Sequence, residues 1–187
     1  MVKIVVLYHS TYGHTEVVAK SVVKGIERVS DTEVALIKAS EAESKLDILH
    51  NADAIIFGSP TYMGSVASVF KKFMEETSKF WTELKWKDKI AAGFTNSGSQ
   101  SGDKLNTLID LAIFAAQHGM IWVSTGLLPG NNSSTSSVND INRIGSFLGV
   151  MTQANVDQGS DVAPPPNDLE TAALLGQRVA EITKRFK

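Results

Sequence analysis

The sequence contains no cysteine among its 187 residues. That absence excludes a thiolate nucleophile, a thiolate metal site and dithiol redox chemistry, and it accords with a reducing compartment, so the chain reads as cytoplasmic. An excess of one charge is also missing. Eighteen Lys and Arg stand against 20 Asp and Glu, a net charge of -2, which leaves no positive field to gather nucleic acid or an anionic membrane. The apolar N-terminal stretch, Met1 to Tyr8, soon meets Ser10 and Thr11 and is too short for a membrane span or a signal-peptide core. The four histidines, His9, His14, His50 and His118, lack metal-binding spacing. Neither G-x-x-x-x-G-K-[ST] nor a G-x-G-x-x-G after the first strand occurs, which excludes a P-loop and a dinucleotide Rossmann turn, and a G-x-S-x-G nucleophile elbow is absent too. A phospho-acceptor receiver would need acidic residues after the first strand and an Asp ending the third, where this chain has His9-Ser10 and Gly58-Ser59. Any redox role must therefore be borrowed from a cofactor.

What is present is ordinary globular material: 43% hydrophobic and 20% charged residues, with mean hydropathy -0.02. At roughly 150 residues per domain the length predicts a single domain over 1–187, able to hide roughly 70% of its unfolded surface without a metal or disulfide. Val2, Ile4, Val5, Val6, Leu7 and Tyr8 form a nearly unbroken apolar run, the pattern of a strand buried on both faces. From Thr15 the spacing becomes helical, with Val18, Val22, Ile26 and Val29 on one stripe. The alternation predicts strands at 33–38, 54–58, 90–94 and 120–123 and helices over 66–80 and 105–118. In the first of these helices Phe70, Phe73 and Met74 face inward, and in the second Leu105, Leu108, Ile109, Ala112 and Ala116 form the apolar side. A last helix is expected to be capped by Asn167 or Asp168, with Leu169, Ala172, Ala173, Gly176, Val179 and Ile182 turned inward. Five strands alternating with helices imply an α/β, doubly wound parallel sheet of order 2-1-3-4-5, whose ligands sit beyond the strand C-termini. Between the last strand and the last helix, the Gly-, Ser- and Asn-rich stretch 126–146 is long for a connection and so marks a functional or disordered loop.

Three strand ends carry small, polar, glycine-bearing segments. After the first strand come Ser10, Thr11, Tyr12, Gly13, His14 and Thr15, where hydroxyls and free helix N–H groups can take a phosphate without any lysine. After the third come Gly58, Ser59, Pro60, Thr61, Tyr62, Met63 and Gly64, with Tyr62 and Met63 as apolar cover for a flat ring. After the fourth come Thr95, Asn96, Ser97, Gly98, Ser99, Gln100, Ser101 and Gly102, able to lay amide and hydroxyl groups along a heterocycle edge. Each alone reads equally as a capped turn or linker; their convergence on one rim is the stronger observation.

These segments, together with Ala116-Gln117-His118-Gly119-Met120, give the chain a resemblance over almost its whole length to the flavodoxin-like NAD(P)H:quinone oxidoreductases of the WrbA type. The resemblance implies non-covalent FMN, with Ser10 to Thr15 around the phosphate, Thr61 to Met63 bordering the isoalloxazine and Asn96 to Ser101 along its other edge. It further implies His118 near the ring as a candidate catalytic group, Tyr12 and Trp81 on the substrate side, and a homo-oligomer, dimer or tetramer. The implied reaction is ping-pong transfer of a hydride from NADH or NADPH to a quinone or other small electron acceptor. A flavodoxin-type electron carrier and a flavin-binding regulatory protein are the alternatives; net charge -2 gives little of the docking field a carrier uses. The segment Arg143 to Gly149, with Ser146-Phe147, and the short connection Ala39 to Asn51 depart from the family's pattern.

Overall fold

The structure, a computed structural model, describes residues 1–187. The chain runs β1 (Val2–Tyr8), α1 (His14–Glu27), β2 (Thr32–Lys38), a 3-10 turn (Ala39–Lys45), α2 (Leu46–Asn51), β3 (Ala54–Tyr62), β4 (Ser65–Val66), α3 (Ser68–Glu76), α4 (Ser78–Trp81), β5 (Ile90–Ser97), α5 (Lys104–Gln117), β6 (Ile121–Trp122), β7 (Val150–Gln153) and α6 (Pro166–Phe186). The strands form a parallel sheet of order β2-β1-β3-β5-β6. With the short hairpin arm β4 set aside, this is the flavodoxin-like order expected from the alternation.

Side chains alternate along β1 as a two-residue period requires. Ile4, Val6 and Tyr8 join the core under α1 and α6, while Val5 and Leu7 join the opposite core with Phe57, Phe70, Phe73, Trp86 and Phe114. The first core is closed by a tight helix contact. A Cβ on Gly25 would lie 1.7 Å from the Ala173 carbonyl oxygen, and one on Gly176 would lie 2.1 Å from that of Val22, so only glycine lets α1 and α6 approach this closely.

Several boundaries differ from the sequence expectation. β3 continues past Gly58 because Ser59 and Pro60 pair with Thr95 and Asn96 of an equally extended β5. It then turns back through Met63 and Gly64, both at positive φ (47° and 80°), into β4; two such residues are what a two-residue hairpin needs. The helix expected over 66–80 is broken into α3 and α4 at Thr77, whose hydroxyl bonds back to the Met74 carbonyl. On α5 the inward face is Lys104, Thr107, Leu108, Leu111, Phe114 and Ala115; of the expected apolar side only Leu108 is buried, and Leu105, Ile109 and Ala116 are exposed. Neither Asn167 nor Asp168 caps α6, which starts at Pro166, a residue suited to the first helical position. The Asn167 amide instead donates to the carbonyls of Val138 and Asp140.

The last sheet position is shared. β6 pairs with Ile90 and Ala91 at the start of β5, and β7 pairs with Phe94 to Ser97 at its end. Residues 123–149 leave the sheet between the two. That excursion is tied down: Asp140 accepts from the backbone N–H groups of Asn131 and Ser137, and the Asn142 side chain bridges to Ser146 through both its oxygen and its nitrogen.

Candidate functional site

β1, β3 and β5 end at one rim of the sheet, and their following segments meet there. At the end of β1, the His9 N–H is held by the Gly58 carbonyl. The chain then turns into α1 through Gly13, at φ 89°, whose N–H donates to Ser10 Oγ at 3.1 Å. No side chain caps α1, so its first N–H groups, which lack partners within a helix, face a cavity. That cavity encloses about 540 Å³ and is lined by Ser10, Thr11, Tyr12, His14 and Thr15 from the first segment, Pro60, Thr61 and Tyr62 from the second, and Asn96, Ser97 and Gly98 from the third. Its size is within the range of small-molecule sites.

The second and third segments are rigid beneath the cavity. Thr61 Oγ1 is 2.8 Å from both Thr95 Oγ1 and Thr107 Oγ1, all three buried. Thr152 donates to Asn96 Oδ1 at 2.9 Å, which fixes the Asn96 amide and leaves its N–H groups for whatever fills the cavity. At the mouth the rings of Tyr12 and Tyr62 meet edge to face with centroids 6.5 Å apart. A fourth wall was not expected: Ala154, Val156, Gln158 and Gly159, which follow β7. The Gln158 carbonyl lies 2.8 Å from His14 Nε2, joining this wall to the first segment. The only sequence signals for it are the alternation of Val150 and Thr152 and the polar, glycine-bearing stretch after them.

None of the lining residues is Asp, Glu, Lys or Arg. The site therefore offers an anion hydroxyls and helix N–H dipoles with no carboxylate to repel it, which suits a phosphate monoester. Pro60, the two tyrosines, Ala154 and Val156 supply apolar surface beside it for a flat ring. The residues present thus fit a flavin mononucleotide.

The other candidates lie elsewhere. Gly13 shapes the first turn, Thr95 is buried below the cavity, and Met63 and Gly64 form the exposed hairpin tip. Ser99 caps the third loop, where its carbonyl accepts from Ser97 Oγ, and Gln100 and Ser101 open onto a neighbouring groove with Leu105, Ile109 and Phe147. Trp81 and His118 are not brought to the cavity. They border a separate cavity of about 490 Å³ between α3 and α5. The reason is chain direction: α5 runs back antiparallel to the strands, so His118 at its end arrives near the N-terminal ends of the strands, away from the rim. There it is 1% exposed among Trp86, Phe80 and Phe114, with Nε2 at 2.8 Å from Thr77 Oγ1 and Nδ1 without a partner.

Burial lowers the His118 pKa to about 4, so the ring is neutral at pH 7 and is not a proton donor there. The unfolded chain binds this proton first, near the ordinary value of 6.5. Stability supplied by the neutral ring is therefore complete above about pH 6.5 and falls as the pH drops towards 4, by up to about 1.4 kcal/mol per pH unit. Urea unfolding of the protein and of His118→Gln between pH 7 and 4.5 is expected to show the steeper decline in the unsubstituted chain.

The family model described as NADPH-dependent FMN reductase matches residues 2–134. The chain belongs to that family. A flavodoxin, FldP, of Pseudomonas aeruginosa (strain UCBPP-PA14) is 45% identical over 186 residues, covering 100% of this chain and 99% of the relative. NAD(P)H dehydrogenase (quinone) 3 of Rhizobium meliloti (strain 1021) is 32% identical, covering 97% and 92%. Among solved structures, the WrbA-like flavodoxin of Agrobacterium tumefaciens superimposes with a TM-score of 0.77 at 40% identity, covering 100% of both chains. This flavodoxin-like family is one of oxidoreductases, as the resemblance of the strand-end segments implied. No helix of the chain is long and apolar enough to cross a membrane.

Proposed function

We propose that the rim cavity holds FMN without a covalent bond and that the chain catalyses two-electron transfer from NADH or NADPH to quinones or similar small acceptors. The observation that carries this reading is the uncapped start of α1 facing a hydroxyl-lined cavity with no Asp, Glu, Lys or Arg in its lining. Ser10, Thr11, Thr15 and the first N–H groups of α1 would hold the phosphate. Pro60, Thr61 and Tyr62 would border the ring, and Asn96, Ser97 and Gly98 would follow its other edge. The bound flavin supplies the hydride acceptance and electron delivery that the side chains here lack. Tyr12 and Tyr62 stand exposed at the mouth of the cavity, where a nicotinamide and then a quinone would stack in turn in a ping-pong order.

A visible spectrum with added FMN, followed anaerobically by NADH, NADPH and then benzoquinone, tests the reading. A shifted flavin spectrum bleached by a nicotinamide and restored by quinone is the expected result. Bound flavin that neither nicotinamide reduces would favour the electron carrier, the reading suggested by the name of the Pseudomonas relative, and absence of flavin binding would overturn both.

The reading extends to a homo-oligomer. Leu105, Ile109 and Ile113 leave an exposed apolar stripe along α5, a surface that a second copy of the chain could cover. Within one chain Trp81 is remote from the cavity, so any substrate contact it makes would come from a second copy. Light scattering is expected to give a dimer or tetramer, and Ile109→Lys with Ile113→Lys a monomer.

A further inference from the structure

The most unusual charge in the molecule lies directly behind the third cavity segment. Lys104 is the first residue of α5 and is 0% exposed. Its ammonium donates to Ser97 Oγ at 2.7 Å and to the Ser99 carbonyl at 2.5 Å, and neither acceptor is a carboxylate. A buried cation without an ion-pair partner is unfavourable, and a cation at a helix N-terminus opposes the helix dipole. A leucine or methionine there would incur neither penalty. The arrangement makes sense where an anion is expected beside it.

The surroundings keep the balance positive. Arg143, from the excursion between β6 and β7, forks onto Asp168 of α6, with Nε to Oδ1 at 2.7 Å and Nη2 to Oδ2 at 3.0 Å. Gln153 of β7 donates its N–H to the same carboxylate and its side-chain amide to the Gly98 carbonyl. Arg143 thus takes up the one carboxylate, and the charge of Lys104 stays uncompensated beneath the loop of Ser97 and Gly98, both of which line the cavity. Burial lowers the Lys104 pKa to about 8, with Asp168 raising it and Arg143 lowering it further, so the ammonium persists at pH 7 and has a proton to regain above pH 8.

We propose that Lys104 is a positioning residue that carries the fixed positive charge of this site, holding the 97–102 loop against the cavity and favouring the reduced over the oxidised state of a bound flavin. The inference rests on the FMN reading above. A hydride from the nicotinamide brings two electrons and one proton, leaving oxidised nicotinamide and adding one negative charge to the ring system. A fixed cation close behind the ring edge stabilises that added charge in a medium far less polar than water.

The test uses the FMN-loaded protein and reads affinity and midpoint potential, not turnover. Dissociation constants for oxidised FMN come from fluorescence quenching, and potentials from equilibration with a reference dye. Lys104→Gln can still donate to the loop and is expected to bind oxidised FMN nearly as well. Its affinity for reduced relative to oxidised FMN should fall at least tenfold, a shift of about 30 mV to more negative potential for a two-electron couple. Lys104→Met, which loses the loop bonds as well, should show that shift together with weaker oxidised binding. If the variants fail to fold, the unsubstituted protein decides: proton uptake per electron pair should rise from one at pH 7 towards two above pH 8 as Lys104 recovers its proton. Equal potentials in the unsubstituted protein and Lys104→Gln, or uptake fixed at one proton, would overturn the proposal while leaving FMN binding intact. No FMN binding by the unsubstituted protein would overturn the functional reading and this inference together.

Discussion

Replacing Thr11 and Thr15 together by valine is expected to raise the dissociation constant for FMN about a hundredfold, roughly 3 kcal/mol from two hydrogen bonds to a charged group. The fold should survive it. Thr15 is buried at the start of α1, yet its hydroxyl makes no hydrogen bond within the protein, and the hydroxyl of the exposed Thr11 meets only the half-buried His9 ring, at 3.2 Å. Valine matches threonine in shape, so the unliganded protein loses no internal bond that matters to it, and its thermal midpoint should be unchanged or slightly raised. A fall in both affinity and midpoint would mean that the hydroxyls brace the turn. Unchanged affinity would remove the phosphate from this turn altogether. Isothermal titration with FMN and with riboflavin separates the contributions further. Because the two hydroxyls act on the phosphate, the substitution should reduce FMN affinity much more than riboflavin affinity.

What could be read from the sequence was whatever local chemistry dictates. The β1 run has no polar residue between Ile4 and Tyr8 and so had to be a strand buried on both faces. The hydroxyls and glycine of the Ser10 to Thr15 turn marked it as a phosphate loop or a capped turn alike, and only the structure, with Gly13 at the N-cap position and no side-chain cap, leaves the helix N–H groups open. The features that stayed hidden depend on which distant segment arrives where. β7 is only four residues long and acquires its register from β5, across an excursion of the chain from 123 to 149; the cavity wall 154–159 follows from it, and its faint local signals could not place it at the rim for the same reason. α5 has apolar residues around most of its circumference, so hydrophobicity could not choose between the Leu105–Ile109 side and the Leu108–Leu111 side. Packing of Thr107 against Thr61 and of Phe114 against Phe57 decides it. His118 resembles a family site residue by sequence, yet within one chain the direction of α5 carries it to the N-terminal ends of the strands, away from the rim. The burial of Lys104 and of the Arg143–Asp168 pair is equally a tertiary fact, since each residue taken alone reads as a solvated surface charge.

That pair yields the largest effect expected on stability. Asp168 is 2% exposed and accepts three hydrogen bonds, two from Arg143 and one from the Gln153 N–H. Asp168→Ala would strand the Arg143 guanidinium in a largely buried position, near the ammonium of Lys104 and with no counter-charge. Breaking a buried pair from one side costs about 3–5 kcal/mol, so urea unfolding should show a loss of that order. The paired substitution Arg143→Leu with Asp168→Leu removes both charges and should recover most of it, because desolvating the pair offsets much of its attraction. FMN affinity is expected to behave differently. The carboxylate also fixes the start of the chain that supplies Ala154, Val156, Gln158 and Gly159, and leucine cannot hold the Gln153 N–H. The double variant should therefore regain stability while binding FMN less tightly than the unsubstituted protein. Recovery of both together would mean that the pair stabilises the fold without shaping the cavity, and β7 alone would then be sufficient to place its fourth wall.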